Sequence, residues 1–558
     1  MRKGSLRGIM TAGRIFLAAA LLCSGLAWAG PPIVHIAAGN LRGLAERGGV
    51  RAFKGVPYAR APIGPLRWKP PEPAKSWAGT RPAGEIGPAC MQPVSGANDF
   101  YAYASFAMSE DCLTLNVWAP ANAKGSAVMV FLHGGGFVTG SGGVRMYDAT
   151  KLARRGVIVV TANYRLGVFG FLAHPELSAE SEHGVSGNYG LLDQFAALRW
   201  VQHNISAFGG DPGRVTIFGE SAGGISVALL MTSPMATGLF QRAIIESAPL
   251  WALPNLRRPS LDFPPAEAAG LAFGRDRHVP TLADLRSLSA KELLTVAADN
   301  PVGNKGVASP VVDGWVVPAQ IYETFEAGRE AKVPLIAGFN SGEMTGFGPE
   351  AMPPVAANRS QYEAAIRASY GDLAPLYLSL YPASAIGDSS VRAATEGFFG
   401  WGPERLVQLH QRAGQSVWFY YFDHTYPSEL MRGIGAFHGS ELPFVFGHVG
   451  AGVRVMPNWP DPPAQPEDHA MSEILMDYWT AFAKDGKPSA PGRPTWPAFT
   501  GVEGGYLALR NGQAIPASNL RPGMFAVHDA TYRRLRAAGR AWTWDNIGAW
   551  APPPDKLN

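Results

Sequence analysis

Val215-Thr216-Ile217-Phe218-Gly219-Glu220-Ser221-Ala222-Gly223 is the stretch on which the architecture of this chain turns. Val215 to Phe218 reads as a short buried strand, and Ile225 to Leu230 reads as the start of a helix. Between them lies a G-x-S-x-G pattern, Gly219 to Gly223. A strand, a sharp turn and a helix are the context of a nucleophile elbow. The flanking glycines let the chain turn without a Cβ clash. The serine is then held above a sheet, at the positive end of the following helix.

The surrounding sequence alternates in the same way. Val128 to Leu132 and Val157 to Val160 are short apolar runs that predict strands buried on both faces of a parallel sheet. Leu191 to His203 has apolar positions at helical spacing and ends before Phe208-Gly209-Gly210-Asp211-Pro212, a segment of breakers that predicts a loop. Later strands are predicted at Ala243 to Ile245, Leu335 to Gly338 and Trp418 to Phe422, with helices at Met471 to Lys484 and Ala526 to Ala537. This alternation predicts an α/β fold with an open, mostly parallel sheet. The stretches 251–305 and 345–400 lack strand runs and are expected to be helical or irregular insertions that roof a site.

A length of 558 residues alone suggests two to four domains, but no linker or internal repeat divides the chain. A 47% hydrophobic and 16% charged composition is that of a globular protein. Arg2, Lys3, Arg7 and Arg14 form a basic N-terminal region, Ile15 to Leu26 is apolar, and Ala27-Trp28-Ala29 is an A-x-A site. Together they predict a signal peptide over 1–29 and one mature domain over 30–558, exported to periplasm or medium. The apolar run is short for a membrane span. Leu22 before Cys23 is not the small residue that lipidation needs. Losing the four basic residues takes the formal charge of +4 to about zero, so nothing argues for nucleic acid or an anionic membrane. Cys90 and Cys112 remain. In an exported protein the pair is expected to form one disulfide closing a loop of about 20 residues, worth ~3 kcal/mol; two free buried thiols are the alternative.

Phe131-Leu132-His133-Gly134-Gly135-Gly136-Phe137 follows a strand directly and matches an HGGG-type oxyanion loop. Consecutive glycines let backbone N–H groups converge on one cavity. The amides of Gly135, Gly136 and Ala222 are the predicted donors, each worth ~3 kcal/mol in a transition state. A phosphate cradle is the other use of such a loop, but no G-x-x-x-x-G-K-[ST] follows. There is no zinc-ligand cluster and no dinucleotide fingerprint, so no metal or organic cofactor is expected.

Over residues 33–510 the chain resembles the type-B carboxylesterase, or cholinesterase-like, family. The resemblance is carried by Phe53-Lys54-Gly55-Val56-Pro57-Tyr58-Ala59, Glu110-Asp111-Cys112-Leu113, Asn163-Tyr164-Arg165-Leu166-Gly167, Gly190-Leu191-Leu192-Asp193-Gln194, Phe208 to Pro212 and Pro310 to Gly314. It implies an α/β-hydrolase fold and a serine hydrolase of small carboxylic esters. It points to His438, in Phe437-His438-Gly439-Ser440-Glu441-Leu442-Pro443, as general base for Ser221, and to Glu343, in Gly338-Phe339-Asn340-Ser341-Gly342-Glu343, as the acid orienting it. Asp313 and Asp423 are rival acids. The order Ser221, Glu343, His438 is the one expected of an α/β-hydrolase. His133 is expected to shape the glycine loop.

The resemblance further implies that Glu220 faces the active site and that Ser247 buttresses it. It implies structural ion pairs Arg67–Glu110 and Arg165–Asp193, and it places Cys90 and Cys112 in the family's first disulfide loop. Cholinesterases hold their ammonium group on a tryptophan in that loop. Here 91–111 offers Phe100, Tyr101, Tyr103 and Phe106 but no tryptophan, which argues against a choline-ester enzyme. Trp251, Phe347, Phe398, Phe399 and Trp401 are candidates to line an apolar gorge, fitting a broad carboxylesterase. A specialised toxin, phthalate or polyester hydrolase, a lipase, an amidase and a non-catalytic adhesion module are the alternatives. Monomer and homodimer are both compatible with the sequence.

Overall fold

The computed structural model describes residues 31–94, 100–102, 107–297, 307–347, 356–450, 452–460, 464–501, 504–543, 546–548 and 551–553. The expected signal peptide, Tyr103 and Phe106 lie outside these residues. The central sheet has eleven strands: β1 (Leu44–Glu46), β2 (Val50–Pro57), β3 (Thr114–Pro120), β4 (Ser126–Leu132), β5 (Ile158–Ala162), β6 (Gly210–Glu220), β7 (Arg242–Glu246), β8 (Leu335–Asn340), β9 (Val417–Phe422), β10 (Gly505–Arg510) and β11 (Gln513–Ser518). Their spatial order is β11-β10-β9-β8-β7-β6-β4-β5-β3-β2-β1. The run from β5 to β10 is parallel, and antiparallel strands close both edges.

The expected burial of both sheet faces is visible residue by residue. Along β4, Val128, Val130 and Leu132 join the apolar core on one face, while Met129 and Phe131 join the core on the other. Helices Tyr189–Asn204 and Ala222–Thr232 fill the first side, and helix Pro466–Asp485 the second. Among the described residues no helix is long and apolar enough to cross a membrane.

The segment Phe208 to Pro212 departs from its predicted loop. A 3-10 turn ends at Phe208, Gly209 takes φ 91°, and β6 starts at Gly210, paired with Ser126 of β4. The register then shifts before pairing resumes at Val215. Asp211 to Arg214 therefore forms a bulge inside the strand, where Pro212 needs no ladder donor. The insertions are helical, as expected. The second ends in a π-helical turn, Thr395–Gly400.

Both expected ion pairs form. Arg67 Nε and Nη2 donate to the two oxygens of Glu110 at 2.7 and 2.6 Å. Its Nη1 donates to the carbonyls of Leu285, Arg286 and Leu288, which helix Leu282–Ser287 leaves unsatisfied at its C-terminus. Arg165 grips Asp193 through Nε and Nη2, both at 2.7 Å, with both side chains buried. Cys90 and Cys112 form a disulfide. Removing one partner of a buried pair strands the other charge, at a cost of about 3–5 kcal/mol. Asp193→Asn should therefore lower the urea midpoint sharply, and Arg165→Met/Asp193→Leu should recover most of the loss. An unchanged midpoint in Asp193→Asn would remove the pair from any structural role.

Candidate active site

The site forms where the parallel strands end. β6 stops at Glu220, Ser221 takes φ 59° and ψ −125°, and the buried helix Ala222–Thr232 begins at once. That backbone conformation costs a non-glycine residue ~1–3 kcal/mol. It is held because Ser221 N donates to Glu246 O at 2.9 Å and Ser221 O accepts from Ile225 N at 2.9 Å. The neighbouring glycines are required by space. A Cβ on Gly223 would stand 1.9 Å from Leu132 O, and one on Gly219 would stand 2.7 Å from the same oxygen. The elbow thus presses against the end of β4, and the glycine loop leaves from that same end.

In the loop, Gly135 and Gly136 take φ 105° and 63°. Gly135 O accepts from Val138 N and Thr139 N at 3.0 and 2.9 Å, which turns the loop back on itself. A Cβ on Gly134 would lie 3.0 Å from Ser221 Cβ, so the loop passes directly beside the nucleophile candidate, while one on Gly136 would meet open space. His133 is buried, stacks on Tyr164 at 4.3 Å and has its pKa lowered to about 4 by burial. It is a neutral wall of the loop, as expected.

His438 and Glu343 come together from separate elements. Glu343 follows β8, is fully buried, and accepts from Asn340 N at 2.6 Å through Oε1. Its Oε2 lies 2.6 Å from His438 Nδ1. A bridge between Gly342 and Phe437 ties the two loops. On the other side of the ring, Glu220 Oε1 lies 3.1 Å from Nε2. That oxygen is buried and makes no hydrogen bond, so the pair is a close approach and not a hydrogen bond. No Ser221 Oγ–imidazole hydrogen bond is present among the described residues; in unliganded enzymes such bonds are commonly long and tighten around substrate. The rival acids are elsewhere: Asp313 accepts from Asn188, Trp315 and Val317 in a turn, and Asp423 pairs with Arg510.

Beneath Ser221, Glu343 and His438 lies a carboxyl cluster that the sequence only half reveals. Ser247 Oγ donates to Glu441 Oε1 at 3.3 Å, and Asn340 Nδ2 donates to Glu441 Oε2 and, at 3.0 Å, to Phe437 O. Glu246 Oε1 accepts from Trp479 Nε1 at 2.8 Å. Burial, then Glu343, raises the Glu220 pKa far above the ordinary carboxyl range, and burial, then Glu441, does the same for Glu246. Burial, then Glu220 and Glu343, pushes Glu441 up to about 8. Glu441 and Asn340 sit inside motifs singled out for their neighbours, and nothing local marks them. Gln92 gave no signal either. It donates to Cys90 O and Gly140 O and accepts from Gly140 N, tying the disulfide to the glycine loop.

The aromatic candidates divide. Phe399 and Phe347 face His438 at 4.7 and 5.3 Å between ring centroids, and Phe398 and Trp251 extend the same wall. Trp401 does not line the gorge. It is fully buried against Tyr322, Tyr532 and Trp542, fastening the roof to the body. Tyr101 and Trp459 complete the wall: Tyr101 OH donates to His438 O at 3.1 Å, and Trp459 packs against Phe437 with the rings tilted by 50° and their centroids 4.8 Å apart.

The model of the carboxylesterase family matches residues 30–524. The chain belongs to that family. The enzyme is 38% identical over 479 residues to a fumonisin B1 esterase of Sphingopyxis macrogoltabida, spanning 83% of this chain and 84% of the relative. It is 37% identical over 478 residues to the para-nitrobenzyl esterase of Bacillus subtilis (strain 168), spanning 84% and 92%. Among solved structures it superposes on a PNB esterase with a TM-score of 0.75 at 33% identity, covering 89% of this chain and 99% of the other. For the Geobacillus stearothermophilus carboxylesterase EST55 the TM-score is 0.73 at 33% identity, covering 91% and 100%. The esterase is therefore an α/β-hydrolase-fold serine hydrolase of small carboxylic esters.

The carboxyl cluster has a consequence for stability. Folded Glu441 keeps its proton to about pH 8, whereas an unfolded glutamate loses it near 4.5. The folded state therefore holds more protons in that window, so this contribution is complete below about pH 4.5 and falls as pH rises through about 8. Glu441→Gln should flatten the decline of Tm between these limits, read by scanning fluorimetry across the range. A slope equal to that of the parent would count against a protonated Glu441.

Proposed function

We propose that Ser221, His438 and Glu343 carry out the ester hydrolysis, with the amides of Gly135, Gly136 and Ala222 as oxyanion donors. The observation that carries this reading is the 2.6 Å contact of Glu343 Oε2 with His438 Nδ1, beside a serine held at φ 59°. With Nδ1 donating to Glu343, Nε2 is left to take the Ser221 proton as Oγ attacks the ester carbonyl. The negative charge that develops on the carbonyl oxygen is met by backbone N–H groups that need no reorganisation. His438 then returns the proton to the leaving alkoxide. Water, deprotonated by the same nitrogen, attacks the acyl-serine and releases the acid. Glu220, kept neutral by burial, adds no negative charge beside the ring.

The apolar wall of Phe347, Phe399 and Trp251 favours acceptance of varied esters, because apolar contacts separate similar groups by only ~1–3 kcal/mol. The spread of the relatives' names, from para-nitrobenzyl to cocaine esterase, supports the same breadth. Ser221→Ala should reduce kcat for 4-nitrophenyl esters by at least about 10⁴-fold with an unchanged Tm. Adding His438→Ala to it should cost little more, since members of one catalytic unit are not additive. Turnover surviving in Ser221→Ala would overturn the assignment, and a panel of long-chain esters and matched amides separates lipase and amidase action.

Export is part of the same proposal. The basic and apolar segments before Ala27-Trp28-Ala29 support it, and so does the Cys90–Cys112 disulfide, a bond that persists in oxidising compartments. N-terminal sequencing of the native enzyme should begin at Gly30, and an intact Met1 would refute cleavage.

A further inference from the structure

Behind the aromatic wall lies a pocket of about 390 Å³ whose lining includes Phe100, Arg432, Arg454 and Trp459. It adjoins the reacting centre through one indole. Trp459 lies 6.1 Å from Tyr101, and Tyr101 lies 6.1 Å from His438, between ring centroids. The far edge of Trp459 comes within 3.5 Å of where a Cβ on Gly439 would stand, beside Glu220 Oε1 at 3.4 Å.

The chemistry of the lining is one-sided. Apart from Asn458, the other lining side chains are apolar, and among the described residues no carboxylate lines the pocket. Arg432 lies over the Phe100 ring at 5.3 Å and reaches only a backbone carbonyl, Asn458 O, at 3.4 Å. Among the described residues neither Arg432 nor Arg454 is in an ion pair. Trp459 is 7% exposed, yet its Nε1–H has no acceptor. A buried donor left without an acceptor costs free energy that a ligand's oxygen would recover. Two cationic forks and one orphan N–H, with no anion among the described lining residues, suit a carboxylate.

We propose that this pocket is a subsite for a free carboxylate borne by the ester, so that the enzyme prefers esters with an anionic arm, on the acid or the alcohol side. The proposal rests on the hydrolase reading, with the ester carbonyl at Ser221 and the arm passing the edge of Trp459. Arg432 and Arg454 hold the charge, and Trp459 Nε1 donates to one of its oxygens. This gives a specificity that the uncharged wall of Phe347 and Phe399 does not supply.

The test compares kcat/KM for mono-4-nitrophenyl adipate with that for 4-nitrophenyl hexanoate, and for 3-acetoxybenzoate with 3-acetoxybenzamide. The anionic-to-neutral ratio is taken within each protein, so differences in folded fraction cancel. The parent enzyme should favour the anion in at least one arm, and the arm that responds identifies which side of the ester enters the pocket. Arg432→Gln/Arg454→Gln should lower that ratio by about tenfold or more, chiefly through KM. Trp459→Phe should lower it less, and 0.5 M NaCl should compress it. A ratio untouched by the arginine substitutions in both arms, with neutral esters still hydrolysed, overturns the subsite. If the parent hydrolysed neither the anionic nor the neutral ester of either pair, the catalytic assignment would fail instead. Calorimetric titration with adipate would then decide the pocket alone: binding lost in the double variant supports it, and no binding to the parent refutes it.

Discussion

The carbonyl oxygen of Leu132 occupies the space that a side chain at residue 223 would need. That contact fixes the distance between the end of β4 and the start of the helix after Ser221, and the rest of the site is built from it. β4 and β6 are parallel neighbours, so the glycine loop and the nucleophile emerge side by side at one edge of the sheet. The next strands deliver the remaining parts at the same edge: β7 gives Glu246 and Ser247, and β8 gives Asn340 and Glu343. This is the position at which open α/β sheets bind ligands. A larger residue at 219 or 223 would not merely crowd the turn. It would push the glycine loop away from Ser221 and so separate the groups proposed to act on one carbonyl.

Under that edge the protein concentrates carboxyl groups instead of avoiding them. Glu220, Glu246, Glu343 and Glu441 are all buried, and for Glu220, Glu246 and Glu441 the nearby carboxyl groups raise the proton affinity beyond what burial alone does. The arrangement is tolerable because most members stay neutral. Only Glu343 is placed against the imidazole's Nδ1; Glu441 accepts from Ser247 and Asn340 and Glu246 from Trp479, all neutral donors. The site thus separates the one carboxyl group in contact with His438 Nδ1 from Glu246 and Glu441, which serve as hydrogen-bonding scaffold.

Much of this was legible in the sequence, for definable reasons. The strands β4 to β9 announce themselves because burial on both faces demands unbroken apolar runs. The elbow and the glycine loop are legible because backbone geometry there excludes every side chain but hydrogen, which leaves a local mark. Glu343 and His438 were reached only through a family resemblance, since neither has a local pattern of its own. Gln92, Asn340, Glu441 and Trp459 were not singled out, because their roles depend on partners dozens to hundreds of residues away. Trp401 was misplaced for a related reason. An aromatic residue in a roof segment points either into the gorge or into the body, and only the positions of Tyr322, Tyr532 and Trp542 decide which. Asp211-Pro212 carried loop chemistry correctly, but a bulge is a loop inside a strand.

The clamp made by Gln92 extends the reach of a covalent bond that is itself outside the chemistry. Its amide joins Cys90 O to both backbone groups of Gly140, just beyond the glycine loop. The disulfide therefore does more than shorten the unfolded chain. It anchors one end of the support beneath the Gly134–Gly136 loop. A single glutamine side chain thus couples the position of the disulfide loop to that of the glycine loop.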